Sequence, residues 1–231
     1  MEAIILAGGF GTRLRQAVPD WPKPMAPVAG RPFLEIVLSS LVRKGFERAI
    51  LSLGFMAETI SSHFRQHFAG IELAYVVEDS PLGTGGALRL AMTACHRDHV
   101  FIFNGDTFLD LEVGCVEKVW QAHRRPIIVG REVDDTSRYG RLLVEADRVV
   151  GFAEKGVSGP GLINAGCYVL ASNQLELAGF PLHQPFSVET DYLAREVALK
   201  PVAVFVTKGR FIDIGIPEDY VLAQTLLAGS A

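Results

Sequence analysis

The chain has 231 residues, 49% of them hydrophobic and 21% charged, a balance that places it among folded chains able to bury a substantial core. Its formal net charge of -4 lacks the basic excess needed for broad contact with nucleic acid or an anionic membrane surface, so neither is expected as a partner. No apolar run approaches the roughly 18 residues of a membrane span, and Met1-Glu2-Ala3 lacks the basic start of a secretory signal, which predicts a cytoplasmic protein.

Ala3–Ala7 reads as a buried strand that runs into LAGGFGTRL at 6 to 14. Gly8, Gly9 and Gly11 allow a tight turn that presents backbone N–H groups to an anion, and Arg13 and Lys23 add positive charge nearby. The spacing is neither a P-loop nor a dinucleotide fingerprint, because Leu14 stands where the third glycine would be. A plain strand-to-helix connection fits the same glycines. Pro22, Pro24, Pro27 and Pro32 predict a stiff loop between Asp20 and Pro32. Lys23, set between two of these prolines, loses little entropy on meeting a phosphate; a solvated surface lysine is the plainer alternative. Phe33–Lys44 then carries Phe33, Leu34, Val37, Leu38 and Leu41 at helical spacing, with Gly45 as its stop.

Ala49–Leu53, Leu73–Val77 and Val100–Phe103 join the first strand in an expected parallel sheet with helices on its faces. Glu78 to Ala87 follows the third of these strands, and a helix is expected over Ala87–Ala94. The side-chain-free surface at Gly85 and Gly86 suits either a planar base or close helix packing. Asn104-Gly105-Asp106-Thr107 follows the fourth strand, where Asp106 suits either Mg²⁺ against phosphate oxygens or a turn cap.

Beyond Asp110 the expected elements are a helix at Val113–His123, a strand at Ile127–Val129, and a hairpin of Leu142–Glu145 with Val149–Ala153. Leu162–Leu170 follows as a strand, Ser187–Glu196 as a helix with Ser187 as cap, and Ala203–Val206 and Phe211–Gly215 as strands. Pro217 opens a last helix at Glu218–Leu227. This half is expected to be mixed or antiparallel and to extend the first sheet. Glu154 and Lys155 offer a carboxylate for sugar hydroxyls and an ammonium for a sugar phosphate, or form a surface ion pair. Asp213, between two isoleucines, needs a partner if buried, and a metal shared with Asp106 would supply one. Cys95, Cys115 and Cys167 lack a CxxC pair and are expected as free thiols. His63 and His67 are expected to share a helical face as a solvated pair.

Read in order, LAGGFGTRL at 6 to 14, PKPMAPVAGRPFLE at 22 to 35, EDSPLGTGGAL at 78 to 88, NGDTF at 104 to 108, RYG at 138 to 140, FAEK at 152 to 155, INAGCYVL at 163 to 170 and FIDIGIPEDY at 211 to 220 resemble the sugar-1-phosphate nucleotidyltransferase family. That resemblance implies an α/β fold, a Rossmann-like α/β/α sandwich with a mixed, mostly parallel central sheet. It implies one domain over 1–231, with a nucleotide-binding half at 1–110, a sugar-phosphate-binding half at 111–231 and no C-terminal β-helix. It also implies an NTP and a sugar 1-phosphate as partners, with Mg²⁺ as cofactor on Asp106 and Asp213, and Arg13 and Lys23 at the phosphates.

On the nucleotide side the resemblance implies Leu6, Ala7, Gly8, Gly9, Gly11, Thr12, Arg13, Glu78, Pro81, Gly83, Thr84, Gly85 and Gly86. On the sugar-phosphate side it implies Asn104, Tyr139, Gly140, Glu154, Lys155 and Asn164. KPMAP, PLGTGGAL, NGDTF and IDIGIPEDY are most similar to the branch that transfers a guanylyl group from GTP to D-glycero-α-D-manno-heptose 1-phosphate. Glu78 is then expected to accept from guanine N1–H and its exocyclic amine, although uridylyl relatives can carry a similar Glu and a solvated loop acid is the plainer alternative. Action on mannose 1-phosphate or N-acetylmuramate 1-phosphate is the alternative within the family. A non-catalytic regulatory homologue that binds nucleotide sugars is the alternative outside it, and a homo-oligomer suits either.

Overall fold

Successive residues of a strand face opposite sides of its sheet, and here both sides are apolar. Ala3, Ile5, Phe101, Phe103, Cys167 and Val169 join one buried cluster, while Ile4, Val100, Ile102, Tyr168 and Leu170 join another. A sheet buried on both faces needs two covering layers of helix, and the computed structural model, which describes residues 1–14, 18–153 and 156–229, has them.

In chain order the elements are β1 (Glu2–Leu6), β2 (Pro27–Val28), β3 (Arg31–Pro32), α1 (Phe33–Arg43), β4 (Arg48–Leu53), α2 (Ala57–Phe64), β5 (His67–Phe68), β6 (Ile71–Val77) and α3 (Gly83–Ala91). There follow β7 (His99–Asn104), β8 (Thr107–Leu109), α4 (Val113–His123), β9 (Ile127–Val133), β10 (Arg141–Glu145), β11 (Arg148–Ala153), β12 (Gly161–Ala171) and α5 (Gln174–Leu177). A π-helical turn at Val188–Leu193 then leads into α6 (Ala194–Leu199), β13 (Val202–Thr207), β14 (Phe211–Asp213) and α7 (Pro217–Leu226). One face is covered by α1, α2, α4 and α7, and the other by α3, α5 and the π-helical turn.

The ten-stranded sheet has the order β10-β11-β13-β9-β12-β7-β1-β4-β6-β5. Strands β7, β1, β4 and β6 are parallel neighbours, and β12 enters antiparallel between β7 and β9. Following the pairings outward, β1, β4, β6, β7, β9, β10 and β13 run one way, and β5, β11 and β12 the other. The sheet is therefore mixed and mostly parallel in direction, and the second half of the chain does extend the first sheet.

Four local expectations change. Helix α3 begins at Gly83 rather than Ala87, because the Phe186 carbonyl accepts from Gly85 N–H at 2.9 Å and so satisfies its first turn. His67 does not share a helix with His63: α2 ends at Phe64, Arg65 takes φ +55°, and His67 lies in β5. His63 instead sets Nε2 2.9 Å from Glu35 Oε1. The stiff loop at 20–32 holds a 3₁₀ turn at Lys23–Met25 and the β2–β3 pair. The strand expected to reach Gly215 ends at Asp213, whose Oδ1 accepts from the Gly215 N–H at 2.6 Å. Ser187 is a cap as expected, its hydroxyl accepting from Thr190 N–H at 3.2 Å. The three cysteines are free, and burial pushes the Cys95 thiol up to about 12.

Candidate functional site

The carboxyl ends of β7, β1, β4 and β6 lie side by side, and hydrogen bonds carry the pairing into the loops beyond them. Ala7 N–H donates to Ser52 O at 2.8 Å, Gly105 N–H to Leu6 O at 2.8 Å, and Glu78 N–H to Leu53 O at 2.9 Å. Four loops are thereby held at one edge, around a cavity of about 410 Å³. This is where ligands enter open α/β sheets.

Of the expected nucleotide-side residues, Leu6, Ala7, Gly8, Gly9, Gly11, Thr12 and Arg13 form one wall of that cavity, and Glu78, Pro81, Gly83 and Thr84 the other. Gly11 is required twice over. Its φ is +59°, and a Cβ there would stand 2.9 Å from Lys23 Cβ. Glu78 is held in place by the Leu82 N–H, which donates to Oε2 at 3.0 Å. Gly85 and Gly86 are not brought to the cavity. A Cβ on Gly85 would sit 2.2 Å from the Phe186 ring, and one on Gly86 2.4 Å from Gln184 O, so these two glycines admit the chain's own 184–186 segment rather than a base.

Lys23 and Asp106 line the cavity, and Asp213 meets them from just outside its lining, beside the lining residue Gly215. Strand β14 pairs antiparallel with β8 so that Asp213 stands opposite Thr107, and Ile214 N–H donates to Asp106 O at 2.9 Å. This register brings together carboxylates that are distant in the chain. Lys23 Nζ donates to Asp106 Oδ2 at 2.5 Å and lies 3.9 Å from Asp213 Oδ1, with only 11% of its side chain exposed. Desolvation and the Asp106 charge push the Asp213 carboxyl above its ordinary range, against the pull of Lys23 and the Gly215 N–H.

Two carboxylates and one ammonium leave the group short of positive charge, which fits a divalent cation. Among the described residues no set of three or more His, Cys, Asp or Glu groups converges on a point. Asp106 and Asp213 are the carboxylates that could hold such an ion, with phosphate and water oxygens completing the shell, as is usual for Mg²⁺.

On the expected sugar-phosphate side, Asn104 lines the cavity. Asn164 lies at the bulge of β12, where its Nδ2 donates to the Tyr168 hydroxyl at 2.8 Å and its Oδ1 accepts from Gly166 N–H at 3.0 Å. Tyr139 packs edge-on against Phe211 at 6.0 Å. Arg138 donates to Asp219 through two nitrogens, at 3.1 and 2.6 Å, which docks the 138–140 segment on β14 and α7. Gly140 O accepts from Asn164 N–H at 3.4 Å. Tyr139, Gly140 and Asn164 are thus contiguous, outside the lining of the 410 Å³ cavity. Glu154 and Lys155 lie outside the described residues.

The cavity also takes in Phe10, Ser52 and Gly215. Phe10 is legible as the one aromatic inside the glycine loop; it is half exposed and lies 5.5 Å from the Phe55 ring. Ser52 and Gly215 have no local signal, since the β1–β4 register brings the first there and the β8–β14 pairing the second.

A family model described as nucleotidyl transferase matches residues 2–229. The chain is 38% identical over 228 residues to the D-glycero-alpha-D-manno-heptose 1-phosphate guanylyltransferase of Aneurinibacillus thermoaerophilus, with 97% of each chain covered. It is 37% identical over 221 residues to the Campylobacter jejuni enzyme of that name, covering 95% of this chain and 97% of the other. Among solved structures, HddC from Yersinia pseudotuberculosis complexed with GMP-PN superposes with a TM-score of 0.86 at 37% identity, covering 98% of this chain and 99% of that one.

Proposed function

The chain belongs to the nucleotidyl transferase family, and from that membership we propose that it transfers a guanylyl group from GTP to D-glycero-α-D-manno-heptose 1-phosphate, releasing pyrophosphate and forming GDP-heptose in the cytoplasm. The observation that carries the reading is the Lys23 ammonium, which lines a glycine-walled cavity and is held by Asp106 on one side with Asp213 3.9 Å away. Such a site suits a polyphosphate. The two relatives of nearly equal length, both guanylyltransferases of this heptose phosphate by name, support the choice of substrates.

The reaction is an in-line attack of one phosphate oxygen on the α-phosphorus of the nucleotide, and its barrier lies in charge repulsion and alignment. At neutral pH the attacking oxygen is already deprotonated, so neither a general base nor a protein nucleophile is required. The backbone amides of Gly8 to Gly11 and the Arg13 guanidinium hold the leaving pyrophosphate. Lys23 neutralises the α-phosphate and the attacking phosphate, and Glu78 accepts from the guanine N–H groups. Asn104, Tyr139, Gly140 and Asn164, with Glu154 and Lys155, orient the sugar phosphate. Mg²⁺ on Asp106 and Asp213, when bound, supplies further positive charge against the phosphate oxygens. Residues 1–110 thus supply the nucleotide side and 111–231 most of the sugar-phosphate side, with Asn104 and Lys23 of the first half reaching the sugar phosphate and Asp213 of the second the metal.

Pyrophosphate release measured over GTP, UTP, dTTP, CTP and ATP, each with heptose, mannose, glucose and N-acetylmuramate 1-phosphates, tests this. The highest kcat/KM is expected for GTP with the heptose phosphate. Preference for a pyrimidine nucleotide would refute the assignment of the base, and preference for another sugar that of the acceptor.

A further inference from the structure

Three hydroxyls from three parts of the chain converge on one carboxylate, Glu189, in the π-helical turn after Ser187. Its Oε2 accepts from the Thr84 hydroxyl at 2.8 Å and the Ser187 hydroxyl at 3.0 Å, and its Oε1 from the Tyr168 hydroxyl at 3.4 Å. Thr84 belongs to the cavity wall on the nucleotide side. Tyr168 is buried and itself accepts from Asn164 Nδ2 at 2.8 Å. A directed chain of hydrogen bonds therefore runs from Asn164 through Tyr168 to Glu189, where it meets Thr84 coming from the other side.

Resting on the transfer reaction proposed above, we infer that Glu189 is a positioning residue, orienting the Thr84 hydroxyl toward the nucleotide and, through Tyr168, Asn164 toward the sugar phosphate. The chemistry of the groups dictates this. A hydroxyl has one hydrogen and two lone pairs. Thr84 gives its hydrogen to Glu189 and one lone pair to the Val188 N–H at 3.0 Å, so it can offer a ligand only an acceptor. An ionised carboxylate is acceptor-only and imposes that polarity on both arms at once. The same segment seals the start of α3, where the Phe186 carbonyl takes the Gly85 N–H at 2.9 Å, so Thr84 has little freedom to turn. π-Helical turns are uncommon and recur at functional sites, which agrees with a turn retained to aim one side chain.

The test uses Glu189→Gln and Glu189→Ala in the full chain, with pyrophosphate release from GTP and the heptose phosphate as the readout. Whichever way the glutamine amide turns, one arm meets an N–H donor in place of an acceptor. KM for at least one substrate is expected to rise about 10-fold or more in the glutamine variant, and for both in the alanine variant, with kcat changing little. A purely structural role would lower the melting temperature and the active fraction while leaving both KM values alone; that outcome, or no change, overturns the inference. If the wild type fails to turn over this substrate pair, the reading of the reaction has failed on its own. Calorimetric affinity for whichever of the five triphosphates the wild type binds then decides: weakening of about 10-fold or more in the alanine variant supports the role. Equal affinity, or binding of none of the five by the wild type, overturns it.

Discussion

Lys23→Met removes the ammonium from the centre of the site while keeping most of its volume. The wild-type nitrogen is 2.5 Å from Asp106 and 3.9 Å from Asp213, on a side chain that is nearly buried, so no solvent cation stands ready to replace it. Losing a preorganised electrostatic group of this kind is expected to lower kcat by about 100- to 1000-fold, or about 2.7–4 kcal/mol of barrier. The fold should bear the change. Asp106 retains the Thr107 hydroxyl at 3.2 Å and Asp213 the Gly215 N–H, and both carboxylates are roughly a third exposed. The stability cost then falls between about 1 kcal/mol for an exposed pair and about 3–5 kcal/mol for a buried one. Each kcal/mol appears as about 2–4 °C in Tm for a chain of this size.

Lys23→Arg should not rescue turnover. A guanidinium is a planar fork with its charge spread over three nitrogens, and it does not reproduce the point charge that Lys23 Nζ places 2.5 Å from Asp106 and 3.9 Å from Asp213. Steady-state pyrophosphate release with Tm measured alongside gives both quantities. A folded methionine variant within about 10-fold of wild-type kcat, or an arginine variant that restores it, would refute the electrostatic role of Lys23.

Three further outcomes are expected. Burial raises the Glu2 carboxyl, but the Arg97 and His96 N–H groups and Arg48 outweigh it and hold its pKa below the ordinary range. The stability it lends is therefore present above about pH 4.3 and lost as pH falls through its lower folded value. Glu2→Gln should lower Tm at pH 7 by a margin that shrinks in acid, and a margin that is constant with pH would contradict this. Gly85→Ala drives a methyl into the Phe186 ring and should cost about 1–3 kcal/mol in chemical unfolding. Adding Phe186→Ala should give a total below the sum of the two single changes, so strict additivity would speak against the contact. Arg138→Met breaks a bidentate pair in which the arginine is half exposed and Asp219 only 16%, so the stability cost should fall between about 1 kcal/mol for an exposed pair and about 3–5 kcal/mol for a buried one. Because the 138–140 segment docks beside the strand carrying Asp213, kcat/KM should fall by about 10-fold or more, and unchanged kinetics would remove Tyr139 and Gly140 from the site.

The parts legible in the sequence are those set by local chemistry. The apolar runs of β1, β4, β6 and β7 and the polar loops after them specify four parallel strands with their ligand-bearing ends together, which accounts for Gly8 to Arg13, Glu78 and Asp106 in one cavity. Asp213 is legible as a carboxylate in need of a partner, but its place beside Asp106 depends on the β8–β14 register. The positive-φ break at Arg65 (φ +55°, ψ -144°) that separates His63 from His67 has no glycine or asparagine to announce it.

The two glycine-rich turns show why the remainder was hidden. A glycine is required wherever something approaches the backbone closely, and its own sequence does not say whether that something is a ligand or another part of the chain. Gly8, Gly9 and Gly11 line the cavity, with only Gly9 free of close neighbours, since Gly8 packs on Gly54 and Glu78 and Gly11 on Lys23; Gly85 and Gly86 lie against residues 184–186, about a hundred positions away in sequence, and outside the lining. With that segment on the second turn, the side chains of Glu78 and Thr84 still face the cavity, and on the proposed function selection on the nucleotide side falls to them. Thr84 is in turn held by Glu189 of the same stretch of chain, so the packing that removes Gly85 and Gly86 from the site also fixes the polarity of the hydroxyl that remains in it.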